Sequence, residues 1–317
     1  MAASMSVTET GEFGLIARIT ARLGVQPSTL LGPGDDAAIV SAPDGRVVAS
    51  TDVLVEGRHF RRDWSSAVDI GHRAAAANLA DIAAMGAVPT ALLVAFCGPP
   101  DLDVRWAEEL TDGLVAEADR AGAAIVGGDV SASSVLTVAV TALGDLQGRE
   151  AVLRSGARAG DVVALAGRIG YAAAGYTVLS RGFRTPKMLV EAHRRPVVPY
   201  PAGPAAAKLG ATSMIDVSDG LLADAGHVAT ASRVGIDIDR DAFPLPDQMR
   251  DTASALGVDP YTWILAGGDD HALLATFPEG AQLPEPFRII GTVTGGAGVT
   301  VNGKSYGDGQ VGWDHFR

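Results

Sequence analysis

The sequence has little of what several common kinds of site require. Cys97 is the only cysteine among 317 residues, which excludes an internal disulfide and a thiolate metal cluster. No uninterrupted apolar run approaches the roughly 20 residues that a membrane-spanning helix needs. The first residues contain neither the basic region nor the apolar stretch of a secretory signal. We therefore expect a cytoplasmic protein that does not bind membranes.

Positive charge is also scarce. The chain has 25 Lys and Arg against 37 Asp and Glu, a formal net charge of −12, and its only lysines are Lys187, Lys208 and Lys304. Nucleic acids and anionic membranes are bound through basic surfaces, so we expect neither as a partner. A ligand that carries phosphate stays possible if cations accompany it.

The composition is that of a folded protein of about two domains. Hydrophobic residues make up 47% of the chain and charged residues 20%, enough apolar side chains for a sizeable core. The mixture of helical and strand patterns predicts an α+β fold with two domains. We expect a flexible tail over residues 1–10, an N-terminal domain over 11–148 and a C-terminal domain over 149–317. The polar stretch near 145–160 separates the two domains.

Turn signals divide the predicted strands. Ala37–Val40 and Arg46–Ser50 are predicted as strands joined by a Pro-Asp-Gly turn, and Ala123–Val126 as a strand that ends at Gly-Gly-Asp. A long alanine-rich helix, capped by Ser65 or Ser66, is predicted between them. In the second half, Met214–Val217 is predicted as a strand that leads into Ser-Asp-Gly and a helix.

Acidic residues recur where the predicted strands end. A single Gly-Asp pair is ordinary turn chemistry, so the residues alone leave two interpretations open, unrelated turns or loops that converge on a ligand. The recurring acids are Asp35, Asp36, Asp52, Asp129, Asp216, Asp219, Asp269 and Asp270, with Asp81 from the long helix. If they converge, carboxylates and hydroxyls suit Mg²⁺, Mn²⁺ or Ca²⁺ rather than Zn²⁺. Because Mg²⁺ takes one or two carboxylates plus substrate phosphates, several such ions indicate a nucleotide phosphate chain.

One literal motif match is rejected. Residues 298–305 read GVTVNGKS and fit the phosphate-binding pattern G-x-x-x-x-G-K-S. That motif needs a strand before it and a helix after it, and the following residues are too glycine-rich for the helix. Asn302-Gly303 is better interpreted as the turn of a hairpin.

A series of distinctive stretches runs along the chain in the order GEFGLIARI, GPGDDAAIV, STDVLVEGRHF, NLADIAAMGA, GGD, VLRSGARAGD, DVSDGL, GGDDHALL and GWDHF. Taken together, these stretches resemble the thiamine-monophosphate kinase family, of the superfamily that includes aminoimidazole ribonucleotide synthetase and selenophosphate synthetase. The resemblance implies transfer of the γ-phosphoryl group of ATP to thiamine monophosphate. It also implies a homodimer whose N-terminal domains pair through a barrel of mixed sheets.

The resemblance also implies roles for single residues. Matches to Mg²⁺ ligands are Asp36, Thr51, Asp52, Asp81, Asp129, Asp216 and Asp219, with Ser50 as a further candidate. Matches to ATP contacts are Gly128, Asp129, Arg154 and Ser218. Matches to positions around the thiamine substrate are His59, Asp269 and Trp313. Trp313 could equally anchor the C-terminus rather than stack on the cationic thiazolium.

One departure from the family pattern bears on the substrate. This chain has GGDDHAL where the family usually has GGEDYEL, so Asp269 is one methylene shorter and His271 replaces an aromatic residue. Two alternatives to a thiamine-monophosphate kinase therefore stay open. The chain could be another ATP-using enzyme of the superfamily, such as an aminoimidazole ribonucleotide synthetase, or a non-catalytic protein that binds nucleotide and Mg²⁺.

Overall fold

The computed structural model describes residues 5–33, 37–306 and 312. Its helices are α1 (Val7–Thr10), α2 (Glu12–Thr20), α3 (Ala67–Ala84), α4 (Val104–Ala121), α5 (Tyr171–Ser180), α6 (Lys187–Arg194), α7 (Ala202–Lys208), α8 (Leu221–Ser232), α9 (Asp247–Leu256) and α10 (Pro260–Ala266). Its strands are β1 (Thr29–Leu31), β2 (Ile39–Val40), β3 (Val48–Val55), β4 (Val88–Gly98), β5 (Ala124–Ala132), β6 (Thr137–Asp145), β7 (Val162–Ala166), β8 (Ser213–Val217), β9 (Gly235–Ile238), β10 (Ala272–Phe277), β11 (Arg288–Thr294), β12 (Gly298–Val301) and β13 (Lys304–Ser305).

The chain divides into two compact units. The N-terminal unit holds Met1–Ile82 and Val88–Gln147, and the C-terminal unit holds Ala83–Ala87 and Gly148–Arg317. Among the described residues, the N-terminal unit has a four-stranded and a two-stranded sheet, the C-terminal unit has a seven-stranded sheet, and both units contain helices. The fold is thus α+β, as the sequence predicts.

A mixed sheet of order β3-β6-β4-β5 forms the centre of the N-terminal unit. Its pairs are antiparallel except for β4 and β5, which run parallel. Along β6, Val138, Val140 and Ala142 alternate with residues on the other face and are fully buried. Helices α3 and α4 contact each other backbone to backbone, because a Cβ at Gly113 would lie 2.1 Å from the carbonyl oxygen of Val68.

The C-terminal unit is built on a larger sheet of order β13-β12-β9-β11-β7-β10-β8. Neighbouring strands of this sheet run antiparallel, except for β12 and β9, which run parallel. The buried side chains of β7, β8 and β10 pack with α5, α8 and α10 in one core. Asn302 and Gly303 both have positive φ, of 50° and 73°, and join β12 to β13. The hairpin interpretation of this segment is therefore confirmed, and the phosphate-loop match is accidental.

The N-terminal unit differs from the sequence expectations at several points. Strand β2 pairs with β1, which the sequence did not indicate, and β3 pairs with β6, so β2 and β3 do not form a hairpin. The Pro-Asp-Gly turn joins two strands of different sheets. Within the expected flexible tail, Val7–Thr10 is helical and the Val7 N–H donates to the carbonyl oxygen of Leu102.

No helix in the part of the chain that the structure describes is both long and apolar enough to cross a membrane.

Candidate active site

Strand β3 and helix α3 bring three candidate metal ligands together in the N-terminal unit. Ser50 and Asp52 alternate with Thr51 and therefore share one face of the strand. Ser50 Oγ donates to Oδ2 of Asp81 at 2.5 Å, and the Asp52 N–H donates to Oδ1 of Asn78 at 2.8 Å. Asn78 and Asp81 lie three residues apart, on one side of α3. This arrangement places Ser50, Asp52 and Asp81 at a single contact between strand and helix.

Thr51 lies on the opposite face of the same strand. Its hydroxyl donates to the carbonyl oxygen of Val140 at 3.0 Å and lies 3.0 Å from the hydroxyl of Thr141, its partner on β6. The structure therefore does not bring the Thr51 hydroxyl beside the carboxylate of Asp52.

Asp129 lies on β5, three strands away from Asp52. Neighbouring strands are about 4.8 Å apart, which separates the two backbones by roughly 14 Å. Asp129 is in register with Ala95 and shares the face of Val53 rather than that of Asp52. Because Mg²⁺ holds its ligands at about 2.1 Å, one ion cannot contact both carboxylates. If the carboxylates of Asp52 and Asp129 are both metal ligands, they must bind separate ions, or a phosphate chain must lie between the two carboxylates.

Gly128 precedes Asp129 at a position that admits only glycine. A Cβ there would lie 1.9 Å from the carbonyl oxygen of Val94 on β4. This close approach leaves the backbone of β5 free of a side chain next to Asp129, which suits a position that approaches a phosphate.

His59 is fixed by the turn that follows β3. The Val55 N–H donates to Nδ1 of His59 at 2.9 Å, and the His59 N–H donates to the Val55 carbonyl oxygen at 2.9 Å. Since Nδ1 accepts a hydrogen bond, the neutral ring carries its proton on Nε2. His59 is half-buried. Nε2 of this tautomer is a hydrogen-bond donor, which suits a phosphate oxygen as its acceptor.

In the C-terminal unit, the turn after β8 is organised by a residue that the sequence reasoning missed. The N–H groups of Ser218, Asp219 and Gly220 all donate to Oδ2 of Asp224, at 3.0 to 3.1 Å. Asp224 lies in the first turn of α8, where an acid stabilises the helix N-terminus. The spacing of that acid from the Ser-Asp-Gly turn is the signal that could have identified it.

The same turn concentrates negative charge. The pKa of Asp224 is raised to about 7, mainly by burial and then by the charges of Asp216 and Asp219, while the N–H groups of Asp219 and Gly220 oppose the shift. Asp216 is buried at the end of β8 and its Oδ2 lies 3.0 Å from Nδ1 of His271. A divalent cation beside Asp216 and Asp219 would offset this repulsion.

The GGDDH loop packs directly on the turn after β8. The Asp269 N–H donates to the carbonyl oxygen of Ser218 at 2.8 Å, and a Cβ at Gly268 would lie 2.2 Å from that oxygen. Asp269, with a φ of 68°, is thereby brought next to Ser218 and Asp219. Asp216, Ser218, Asp219 and Asp269 therefore form one cluster in the C-terminal unit.

Asp270, the next residue, has a different task. It is buried and accepts hydrogen bonds from the N–H groups of Gly170, at 2.6 Å, and Ala172, at 2.9 Å. It thus caps the N-terminus of α5. Burial raises its pKa to about 7 against the effect of these two N–H groups, while the charge of Asp269 raises it and that of His271 lowers it.

Arg154 lies away from this cluster. It begins a short 3-10 turn, and its carbonyl oxygen accepts from Ser232 Oγ at 2.8 Å. Ser232 is the last residue of α8, whereas Ser218 and Asp219 lie just before the first residue of that helix. A helix of 12 residues is about 18 Å long, so the structure does not bring the Arg154 backbone beside Ser218.

The donor chemistry fits Mg²⁺ that is completed by substrate oxygens. The candidates are carboxylates and hydroxyls, the hard donors that this ion prefers. Within residues 5–33, 37–306 and 312, no group of three or more His, Cys, Asp or Glu side chains is arranged to hold a metal. The residues therefore suit ions held by one or two carboxylates and by phosphates, rather than a cage built by the protein alone. Asp36 and Trp313 lie outside the described residues.

Comparison with known families and proteins matches nearly the whole chain. Residues 34–146 match the model of the AIR synthase related protein N-terminal domain, and residues 158–304 match that of the C-terminal domain. A thiamine-monophosphate kinase of Mycobacterium tuberculosis (strain CDC 1551 / Oshkosh) is 49% identical over 99% of this chain and 94% of its own length.

Solved structures of thiamine-monophosphate kinases are also similar to this chain over nearly its whole length. The crystal structure of thiamine-monophosphate kinase from Stenotrophomonas maltophilia K279a has a TM-score of 0.81 at 32% identity, and the match covers 92% of this chain and 96% of that one. AaThiL complexed with AMPPCP and TMP has a TM-score of 0.80 at 33% identity, over 99% of this chain and 100% of that one.

Proposed function

The chain belongs to the thiamine-monophosphate kinase family and carries its two AIR synthase related domains, and we propose that it phosphorylates thiamine monophosphate with ATP. The products are thiamine diphosphate and ADP. The observation that carries this conclusion is the 49% identity to a thiamine-monophosphate kinase over 99% of the chain. A related fold that holds AMPPCP, an ATP analogue, together with TMP supports the same pair of substrates.

We propose that the acids of the two units hold Mg²⁺ ions that accompany ATP. The N-terminal unit would supply Asp36, Ser50, Thr51, Asp52, Asp81 and Asp129, and the C-terminal unit Asp216 and Asp219. The Thr51 hydroxyl lies on the other face of β3, which Asp129 shares, so it would serve a different ion from Asp52 and Asp81. When bound, Mg²⁺ neutralises the phosphate oxygens and the charge that develops during transfer.

The chain's own residues then have simple tasks. Gly128, Asp129, Arg154 and Ser218 are the proposed contacts of ATP, and His59, Asp269 and Trp313 are those of the thiamine substrate. The acceptor is a phosphate monoester whose second pKa is about 6, so near neutral pH it is mostly a dianion. It needs no general base, and we propose direct in-line transfer without a phosphorylated enzyme.

We further propose a cytoplasmic homodimer that pairs through the N-terminal unit. The face of the β3-β6-β4-β5 sheet that carries Val53 and Leu93 exposes both side chains, at 46% and 38% of their surface. Apolar side chains on an open sheet face favour pairing with a second copy. On this proposal residues 11–148 bind nucleotide and dimerise, and residues 149–317 complete the site.

One assay tests the function against its alternatives. ADP release is measured with purified protein, ATP and Mg²⁺, with thiamine monophosphate, with an amide substrate in its place, and with neither. The proposal requires release that depends on thiamine monophosphate. Release only with an amide substrate would instead indicate another enzyme of the superfamily, and nucleotide binding without any turnover would indicate a regulatory protein.

A further inference from the structure

His271 and Asp216 form a buried pair in the C-terminal unit. Nδ1 of His271 lies 3.0 Å from Oδ2 of Asp216, and both residues are buried, at 6% and 4% exposure. The two are 55 residues apart in the chain. His271 is also the residue at which this chain departs from the aromatic side chain usual in the family.

The backbone aims the His271 side chain at Asp216. The His271 N–H donates to the carbonyl oxygen of Val217 at 2.9 Å, and Leu273 of β10 is in register with Asp216 of β8. His271 has a φ of 51°, in the left-handed region that residues other than glycine seldom adopt. The hydrogen bond to Val217 and the pairing of β10 with β8 stabilise this strained backbone.

The pairing fixes the direction of the Asp216 carboxylate. An ionised carboxylate has only acceptors, so the proton in this hydrogen bond is carried by Nδ1 of His271. Oδ2 is therefore engaged, and Oδ1 is left for another ligand. Mg²⁺ requires near-ideal octahedral geometry, so the orientation of a carboxylate ligand strongly affects its affinity.

We propose that His271 is a positioning residue, which orients Asp216 so that the carboxylate presents Oδ1 to a divalent cation. This inference rests on the proposed function, because that function makes Asp216 a metal ligand. Residues that hydrogen-bond to a metal ligand typically change metal affinity or activity by about 10- to 100-fold when they are replaced.

Two substitutions at this position separate the hydrogen bond from the packing. His271→Phe keeps a planar ring and removes the donor. His271→Asn keeps a donor close to the place of Nδ1, and asparagine tolerates a positive φ. The readout is Mn²⁺ binding in the presence of AMPPCP, followed by electron paramagnetic resonance of the free ion, so that no turnover is needed.

We expect His271→Phe to raise the apparent Kd for Mn²⁺ by about 10-fold or more and His271→Asn to stay within about 3-fold of the wild type. His193→Phe is the matched control, because His193 is also buried in the C-terminal unit and packs against Tyr176. It should leave Mn²⁺ affinity unchanged.

Three results would overturn the positioning role, and each differs from failure of the proposed function. Wild-type Mn²⁺ affinity in His271→Phe, equal losses in His271→Phe and His271→Asn, or an equal loss in His193→Phe would each do so. Failure of the function shows instead in the wild type, as ADP release that does not depend on thiamine monophosphate.

Discussion

Ser50 Oγ donates a 2.5 Å hydrogen bond to Oδ2 of Asp81, although the two residues lie 31 positions apart. The bond ties β3 to α3 at the point where Asp52 also meets the helix through Asn78. Strand and helix thus present hydroxyl and carboxylate oxygens at one place, which is the arrangement that a hard divalent cation requires.

Replacing Asp52 with asparagine should remove turnover and leave the fold intact. The substitution removes one metal ligand and one negative charge, while the Asp52 N–H still donates to Asn78. We expect kcat to fall by about 100-fold or more at saturating Mg²⁺, with an unfolding temperature equal to or above that of the wild type. Asp112→Asn, at an exposed acid of the same unit, is the control. Activity within a few-fold of wild type in Asp52→Asn would refute the metal assignment.

Replacing Gly128 with alanine should destabilise the N-terminal unit. The added Cβ would lie 1.9 Å from the Val94 carbonyl oxygen, so strands β4 and β5 must separate. We expect a loss of roughly 1–3 kcal/mol in the free energy of unfolding, measured by urea denaturation. A Cβ at Gly24 meets nothing within 4 Å, so Gly24→Ala should be neutral or slightly stabilising. Equal stability of the two variants would show that the close approach is not real.

The donor on His59 should govern affinity for thiamine monophosphate. Nδ1 accepts from the Val55 N–H, so Nε2 carries the proton of the neutral ring and is the donor that we propose for substrate. His59→Gln keeps an N–H donor near the place of Nε2, and His59→Phe does not. We expect His59→Phe to raise the KM for thiamine monophosphate by about 10-fold with the KM for ATP unchanged, since a hydrogen bond to a charged group contributes about 1.5–3 kcal/mol. A value for His59→Gln no closer to wild type than that for His59→Phe would contradict this role.

The buried carboxyl of Asp270 should make stability fall as pH rises. Its pKa is raised from 3.8 to about 7 in the folded protein. Between about pH 4 and 7 the folded state therefore holds a proton that the unfolded state has released, so the contribution of this group to stability declines through that range and is constant above it. In this range the free energy of unfolding can fall by about 1.4 kcal/mol for each pH unit.

Asp270→Asn isolates this contribution. The difference between wild type and variant in the free energy of unfolding should shift in favour of the variant as pH rises from 4 to 7, measured by denaturant titration at each pH. Parallel curves for the two proteins would mean that Asp270 is ionised throughout this range.

The sequence predicted the α+β fold class better than it predicted the local geometry of the candidate ligands. Asp52 and Asp129 were expected at strand ends, yet both lie inside strands, because β3 extends to Val55 and β5 to Ala132. Gly-Gly-Asp is a turn signal when considered alone, but pairing of β5 with β4 overrides it. Such pairing depends on distant residues and cannot be obtained from local pattern.

The supporting residues were harder to identify than the candidate ligands. Asn78 and Asp224 act on the site through hydrogen bonds to backbone N–H groups. The spacing of Asp224 from the Ser-Asp-Gly turn indicates such a role in the sequence, whereas nothing in the sequence around Asn78 does. The separation of Arg154 from Ser218 follows from packing of the 3-10 turn on the C-terminal end of α8. Adjacency of motifs in a family pattern does not fix which of them meet in space.

The most direct test follows the phosphoryl group itself. Wild-type protein is incubated with ATP labelled in the γ-phosphate, Mg²⁺ and thiamine monophosphate, and the label is traced in both the thiamine product and the protein. Our account predicts one labelled thiamine diphosphate for each ADP formed and no label on the protein. A covalently labelled protein, or ADP without labelled thiamine diphosphate, would contradict it.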